Sequence, residues 1–207
     1  MRKFMFAAPM VVILMFVTSV CPFPVFSGDY RKGFEAYQQG DYVTALVEFT
    51  ALAKQENAFA QYNLGLMYEQ GLGVPKDVAM ATEWYIRAAS QGKAEAQFRL
   101  GSAYHLGQGI AKDDVQAEVW LRRAANQGVT DAQVMLGEML FLLRIPLHNN
   151  APAYMWMSIA ASSGDKAAKK KKRFFTIFMT PNQLVEGEKL IRKWKAQFEA
   201  DVNTSSK

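Results

Sequence analysis

Apolar residues in the middle of the chain recur at the spacing of one face of an α-helix. Ala60, Leu64 and Tyr68 form one stripe, and a second stripe begins at residue 81 after a short break. The break, residues 71–76, holds two glycines and a proline, a composition that favours a loop. The pattern therefore predicts two helices joined as a hairpin.

This hairpin pattern returns every 36 residues, and tryptophan marks the period at Trp84, Trp120 and Trp156. Asp77 and Asp113 precede the second helices of the first two units, where their carboxylates can cap the helix. Glycine follows the second helix of every unit, at positions 92, 128 and 164. A fixed period of this length predicts stacked helical hairpins, because one hairpin cannot bury its apolar face alone.

The period divides the chain into consecutive segments. We predict an N-terminal capping hairpin over 28–56, repeats over 57–92, 93–128 and 129–164, a C-terminal basic capping hairpin over 165–200, and a disordered tail over 201–207. In the third repeat Leu143 and Ile145 replace the loop glycines and Asn149 replaces the capping aspartate. Thr180 and Gln183 form a capping-box pattern that starts the last helix. The predicted fold is all-α, a right-handed α/α solenoid.

The repeated strings resemble a known family. Residues 60–68, the loop at 71–74, Asp77, the Trp84-Tyr85 pair and Gly92 resemble the Sel-one-like repeats, which are relatives of the tetratricopeptide repeats. The resemblance covers roughly residues 30–165 and implies first helices that line a concave binding surface. It also implies roles such as assembly of envelope complexes, regulation of a membrane sensor, or quality control.

Residues 1–27 have the pattern of a secretory signal peptide. A basic start is followed by an uncharged apolar run over residues 4–20 and a plausible cleavage point between Ser27 and Gly28. We therefore predict an exported protein, periplasmic or secreted. The alternative is an inner-membrane anchor over residues 4–26. Cleavage would remove Cys21, the only cysteine, which excludes disulfides and thiolate metal sites from the mature chain.

Charge is distributed unevenly along the chain. Residues 28–165 carry 11 basic and 15 acidic side chains, whereas residues 166–207 carry 11 basic and only 4 acidic ones. The basic excess centres on Lys169, Lys170, Lys171, Lys172 and Arg173. This run is either a solvated helix face or a contact for an anionic polymer or membrane. A mildly acidic repeat body in an exported protein argues against nucleic acid as a partner.

Catalytic patterns are missing from the sequence. His105 and His148 each lack a second ligand at metal-binding spacing. Two Ser-x-x-Lys strings begin at Ser90 and Ser163, without the other motifs of penicillin-recognising serine enzymes. The Gly-x-Gly loops lie between two helices and lack the third glycine of a phosphate-binding turn. We therefore predict no enzyme activity, no cofactor and no metal.

Positions that vary between repeats are the candidates for a partner site. Columns that stay fixed must serve the stack, since neighbouring repeats impose the same demand each time. The variable first-helix positions predict a binding surface made of Tyr62, Asn63, Leu66, Phe98, Arg99, Ser102, Met135 and Glu138. The alternative for Tyr62 and Phe98 is that they fill gaps between helices.

These observations favour a non-catalytic adaptor in the bacterial cell envelope that holds a partner protein on its concave face. A second possibility is an envelope-binding module that uses residues 169–173. Hydrolysis of a cell-wall or β-lactam substrate is a third, and it draws only on what the resemblance to cysteine-rich family members implies.

Overall fold

The computed structural model describes residues 28–144 and 149–205, which form ten α-helices and no strand. The helices are α1 (Gly28–Gln39), α2 (Tyr42–Ala53), α3 (Ala58–Gln70), α4 (Val78–Ser90), α5 (Ala94–Leu106), α6 (Asp114–Asn126), α7 (Thr130–Arg144), α8 (Ala151–Ser162), α9 (Lys166–Ile177) and α10 (Pro181–Ser205). The all-α prediction is confirmed. The predicted signal segment, Ile145 and His148 lie outside the described residues.

Consecutive helices pack against one another along the chain. α3 pairs with α4, α5 with α6 and α7 with α8, and each second helix also contacts the first helix of the following repeat. The apolar face that a lone hairpin would expose is thereby covered by its neighbour, as in other solenoids.

The two helices of each repeat approach closely at a glycine. A Cβ atom at Gly65 on α3 would lie 2.4 Å from the ring of Tyr85 on α4. At Gly101 on α5 it would lie 2.7 Å from Leu121 Cγ on α6. Both distances are shorter than van der Waals contact, so the Leu-Gly pairs of the sequence mark positions where a side chain would force the helices apart.

The Gly-x-Gly loops, which join the two helices of one repeat, pack against the preceding repeat. Gly109 has a φ of +69°, and a Cβ there would lie 2.3 Å from the carbonyl oxygen of Val78. The Thr82 hydroxyl donates to the Gln108 carbonyl oxygen at 3.2 Å. The loop of repeat 2 therefore packs directly on the first turn of α4 in repeat 1, a close approach that a larger residue would prevent.

The predicted helix caps of the first two repeats are present. The Asp77 carboxylate accepts a hydrogen bond from the Met80 backbone N–H at 3.0 Å, and Asp113 does the same for Gln116 at 3.0 Å. In the third repeat the N-cap residue is Asn150, one position later than predicted, and its side chain makes no capping hydrogen bond. The Asn149 side chain instead accepts from the Ala151 N–H at 2.9 Å. These side chains satisfy backbone donors that have no partner within the helix.

Buried glutamines form a hydrogen-bonded ladder through the stack. Gln61, Gln97 and Gln133 donate to the carbonyl oxygens of Ala53, Ala89 and Ala125, at 3.3, 3.2 and 3.1 Å. Two of them also accept a 2.7 Å hydrogen bond from a glutamine that follows the second helix, Gln91 to Gln61 and Gln127 to Gln97. Each rung ties a first helix to the end of the preceding second helix, which sets the register between repeats.

The C-terminal end is built around α8, which carries no charged residue and is buried on nearly all sides. α7, α9 and α10 all pack against it. α10 begins at the predicted capping box, where Thr180 N–H donates to Gln183 Oε1 at 3.0 Å. An apolar helix surrounded by other helices is the expected outcome for a sequence that is hydrophobic all round.

The recurring tryptophan packs against an arginine in the first two repeats and against α10 in the third. In the first two repeats the guanidinium groups of Arg87 and Arg123 lie over the rings of Trp84 and Trp120, at 4.7 and 4.5 Å. In the third repeat the equivalent of the arginine is Ile159. There Trp156 is 1% exposed and packs edge-to-face on Trp194 of α10, with ring centroids 6.0 Å apart. The replacement of the arginine by isoleucine is consistent with the packing of α10 on the third repeat.

The predicted disordered tail over 201–207 is wrong for residues 201–205, because α10 continues to Ser205. The chain has no glycine or proline after Gly187 to end the helix. The Gln197 amide donates to the Asp201 carboxylate at 2.8 Å, a pairing one turn apart that supports the helix.

Replacing a rung of the ladder should weaken the stack. We expect Gln97→Leu to lower the free energy of unfolding by about 1–2 kcal/mol, because the buried Ala89 carbonyl loses a donor and Gln127 loses its acceptor. Urea unfolding followed by circular dichroism measures the change. Gln116→Leu, at an exposed position, is the control and should shift stability by less than about 0.5 kcal/mol. Equal stability of the two variants would contradict a structural role for the ladder.

Candidate functional site

The first helices of successive hairpins line an open pocket of about 480 Å³ in the C-terminal half of the chain. α5, α7 and α9 each contribute one wall, and we call this pocket the C-terminal groove. Its apolar lining consists of Leu106, Met135, Met139, Phe141, Leu142, Phe174 and Phe175. His105, Glu138 and Lys171 supply polar groups at the edges.

Apolar side chains of the groove face solvent. Leu106 is 53% exposed, Leu142 69% and Phe174 51%. Beneath them Phe141 stacks on Phe175, with ring centroids 4.0 Å apart. Clustered, exposed apolar side chains above a packed aromatic floor are typical of an interaction surface, since burying them releases water from apolar area.

An ion pair and a hydrogen-bonded histidine border the groove. Lys171 forms an ion pair with Glu138. His105 Nδ1 lies 2.6 Å from Asp114 Oδ1, and Lys112 Nζ lies 3.5 Å from Asp114 Oδ2. The hydrogen bond with His105 lowers the pKa of Asp114, and the charge of Lys112 lowers it further. The loop between α5 and α6 brings His105 and Asp114 together, a pairing that a search for local ligand spacing missed.

Three of the predicted partner residues, Tyr62, Arg99 and Ser102, belong to a polar network or border it. Arg99 Nη1 lies 3.6 Å from Glu69 Oε1, and the Tyr85 hydroxyl donates to the other oxygen of Glu69 at 2.5 Å. Ser102 borders the same small cavity as Arg99 and Glu69. Burial raises the pKa of Tyr62 on α3, and the neighbouring Arg99 opposes that rise. Burial, and secondarily the hydrogen bond to Glu69, raises the pKa of Tyr85. The network centred on Glu69 therefore joins α3, α4 and α5.

Asn63 requires a correction, because it is a buried packing residue. Its amide donates to the Tyr30 hydroxyl at 3.1 Å and to the Phe59 carbonyl oxygen at 2.9 Å. Leu66 and Phe98 are half-buried against the apolar core clusters. Of the eight predicted residues, only Met135 and Glu138 line the groove.

The basic run on α9 divides into two groups. Lys171 is engaged by Glu138, and Lys172 Nζ lies 4.9 Å from the centre of the Tyr154 ring. Lys169, Lys170 and Arg173 are exposed. Of the five cations in the predicted patch, three are therefore exposed, and the other two contact residues of α7 and α8.

The Ser-x-x-Lys strings show local hydrogen bonds instead of a catalytic pair. The Ser90 hydroxyl donates to the Arg87 carbonyl oxygen at 2.7 Å, and Lys93 pairs with Glu95 at 2.5 Å. The Ser163 hydroxyl donates to the Ala160 carbonyl oxygen at 2.7 Å. Within residues 28–144 and 149–205 no three metal-ligating side chains converge. In the same ranges no helix combines the length and apolarity needed to cross a bilayer.

Sequence reasoning missed the exposed column of the groove. Leu106 and Leu142 lie 36 residues apart. Phe178 lies a further 36 residues on, is 53% exposed and does not line the groove. The column sits at the C-terminal ends of the first helices, one position beyond the columns chosen for their variability. Repeat 1 has Gln70 at the equivalent position, so the column is not uniformly apolar, and the side chains of Leu106 and Leu142 face solvent.

Comparison with known proteins finds similar repeats in other proteins. The profile of the Sel1 repeat matches residues 58–93, 94–129 and 130–165, which is just over half of the chain. A human protein, protein sel-1 homolog 2, is 42% identical over 64 residues, covering 30% of this chain and 9% of that protein.

Two crystal structures are similar. A Sel1 repeat protein from Oxalobacter formigenes superposes with a TM-score of 0.64 at 36% identity, covering 69% of this chain and 59% of that one. A protective antigen of uropathogenic Escherichia coli strains, which displays an SLR fold, gives a TM-score of 0.69 at 26% identity, covering 84% and 38%. The chain thus spans less than two thirds of the length of each of these relatives.

The Arg99–Glu69 contact should be measurable as a coupling energy. We expect Arg99→Gln and Glu69→Gln to be non-additive by about 0.5 kcal/mol, a small value because both side chains are partly solvated. Urea unfolding of the two single variants and the double variant gives the coupling. Glu83→Gln, an exposed change on α4, combined with Arg99→Gln is the control and should be additive. Additivity in both cycles would show that the contact contributes nothing to the stack.

Proposed function

The chain belongs to the Sel1 repeat family, and from that premise we propose that it is a non-catalytic scaffold that holds a partner protein in the C-terminal groove. Repeats of this family generally mediate protein–protein interaction. First helices of α/α solenoids form extended concave surfaces suited to a bound chain. The proposal assigns this role to α5, α7 and α9.

The observation that carries the proposal is the exposed apolar lining of the groove. Leu106, Leu142 and Phe174 remain more than half exposed beside a floor of buried rings and methionines. Methionine side chains adapt to different partner shapes, and exposed leucines gain free energy when a partner covers them. The ion pair of Glu138 and Lys171 and the hydrogen-bonded pair of His105 and Asp114 at the edges supply polar contacts that orient the bound segment.

We also place this scaffold in the bacterial cell envelope. Support comes from the basic start, apolar run and Ser27–Gly28 cleavage pattern of the N-terminal segment. Gly28, the residue that follows the predicted cleavage point, is also the first residue of α1. Removal of residues 1–27 would leave every described helix in place. The exported scaffold assembles or regulates an envelope complex through its partner.

A charge placed in the groove should remove partner binding. We expect Leu142→Glu to weaken the partner's affinity at least about tenfold, because a buried carboxylate against the apolar floor would lose its hydration. A cross-linked pull-down from the host envelope identifies the partner, and titration of the purified pair measures the affinity. Val115→Glu is the control, since Val115 on α6 is 73% exposed and lies outside the groove. Equal affinity of both variants would refute the groove as the site.

The mature N-terminus tests the predicted export. We expect protein recovered from its host to begin at Gly28, because the small and modest residues before it fit a signal-peptidase site. Intact mass and N-terminal sequencing measure this directly. A protein that retains Met1 and stays in carbonate-washed membranes would instead establish the anchor over residues 4–26.

A further inference from the structure

One face of α9 combines exposed cations with exposed bulky apolar residues. Lys170, Arg173 and Ile177 follow one another at helical spacing, so they lie along the same line of the helix. Ile177 is 75% exposed, Phe174 51% and Phe178 53%. We call this surface, formed by Lys169, Lys170, Arg173, Phe174, Ile177 and Phe178, the basic–apolar face of α9.

The packing of the solenoid leaves this face uncovered. The opposite side of α9 is buried through Ala168 and Phe175, the latter stacked on Phe141 of α7. α10 continues onto α8, so within the described residues no further helix stacks on the outer side of α9. Among the described residues, none forms an ion pair with Lys169, Lys170 or Arg173. The face therefore offers both its cations and its apolar side chains to an external surface.

We propose that the basic–apolar face docks on the surface of an anionic lipid bilayer. The cations meet lipid headgroups, while Ile177 and the two phenylalanine rings enter the boundary between headgroups and acyl chains. Stable peripheral attachment requires two signals, apolar insertion and electrostatic attraction, and this face has both. The excess of 11 basic over 4 acidic side chains in residues 166–207 adds long-range attraction.

The alternatives explain only part of the face. A soluble anionic polysaccharide would pair with the cations but would leave Ile177 and Phe178 in water. A protein partner would bury the apolar residues, yet three exposed cations without internal partners match a dense array of phosphates more closely than a typical protein surface, where charges of both signs are mixed. A bilayer satisfies both halves of the face at once.

This inference goes beyond the scaffold proposed above, because it adds a second surface. The groove and the basic–apolar face share only Phe174, and Leu142 lies in the groove alone. A chain that uses both surfaces would hold its partner against the membrane. The variants chosen for the test avoid Phe174, so loss of lipid binding and loss of partner binding can be told apart.

Vesicle co-sedimentation tests the proposal. The chain beginning at Gly28, which contains every described helix, is mixed with vesicles of phosphatidylglycerol and phosphatidylcholine in equal parts, or of phosphatidylcholine alone. We expect binding to the mixed vesicles only, weakened by high salt. The combined change Lys169→Gln, Lys170→Gln and Arg173→Gln should lower the partition coefficient at least about tenfold. Ile177→Ser should lower it several-fold at constant charge.

Matched controls separate this face from general charge and general apolarity. The combined change Arg192→Gln, Lys193→Gln and Lys195→Gln removes three exposed cations from α10, and Val115→Ser removes an equally exposed apolar side chain from α6. The α10 change should lower the partition coefficient much less than the α9 change, because it removes only long-range attraction. Val115→Ser should bind as the parent chain does, and circular dichroism should be unchanged in all variants.

Three outcomes would overturn the proposal. The first is absence of binding to the anionic vesicles, and the second is equal loss in the α10 control, which would indicate a diffuse charge effect. The third is that Ile177→Ser and Val115→Ser bind alike, which would exclude apolar insertion. Capture of a protein that depends on Ile177, without vesicle binding, would identify the face as a protein interface instead. Because Leu142→Glu should bind vesicles normally, the scaffold function stands or falls separately.

Discussion

The stacking of each repeat on its neighbour is the interaction on which the rest of the structure depends. A two-helix unit cannot enclose an apolar core, so its buried face exists only because another unit covers it. Alanine columns and the glycines at positions 65 and 101 let the helices approach, and the buried glutamines fix how far each unit is displaced from the previous one. The loop at Gly109, seated on α4, adds a second contact across the same junction.

This dependence explains why the sequence predicts the fold so completely. Residues such as Gln97, Gly101 and Asp113 have the same structural role from one unit to the next. They therefore recur at a fixed interval, which makes them recognisable in the sequence. The caps and the left-handed glycines follow from local chemistry and needed no tertiary information. The continuation of α10 beyond residue 200 was not predicted, since polar composition alone does not end a helix that lacks a glycine or proline.

The candidate site was harder to predict because positions that vary between repeats were assumed to have no role in packing. Asn63 bonds Tyr30, Arg99 contacts Glu69 and Glu138 pairs with Lys171, each across adjacent first helices. These positions differ between repeats because the side chain opposite also differs, so each pair is locally matched. The exposed leucines at 106 and 142 occupy a position that holds Gln70 in repeat 1, so the periodicity alone did not single them out. The pattern of a single sequence does not distinguish residues that contact an adjacent repeat from residues that are exposed for binding a partner.

The glutamine ladder also limits how such an array can change in length during evolution. A duplicated copy of repeat 1 or 2, inserted at the junction near residue 92, would find the same alanine carbonyl before it and the same glutamine after it. Beyond repeat 3 the pattern breaks, because Ser163 stands where Gln91 and Gln127 stood, and its hydroxyl donates to its own helix. Ile159, which stands in place of an arginine, also favours the packing of α10 against α8. Lengthening by tandem duplication is therefore compatible with the interior of the array and not with its C-terminal end.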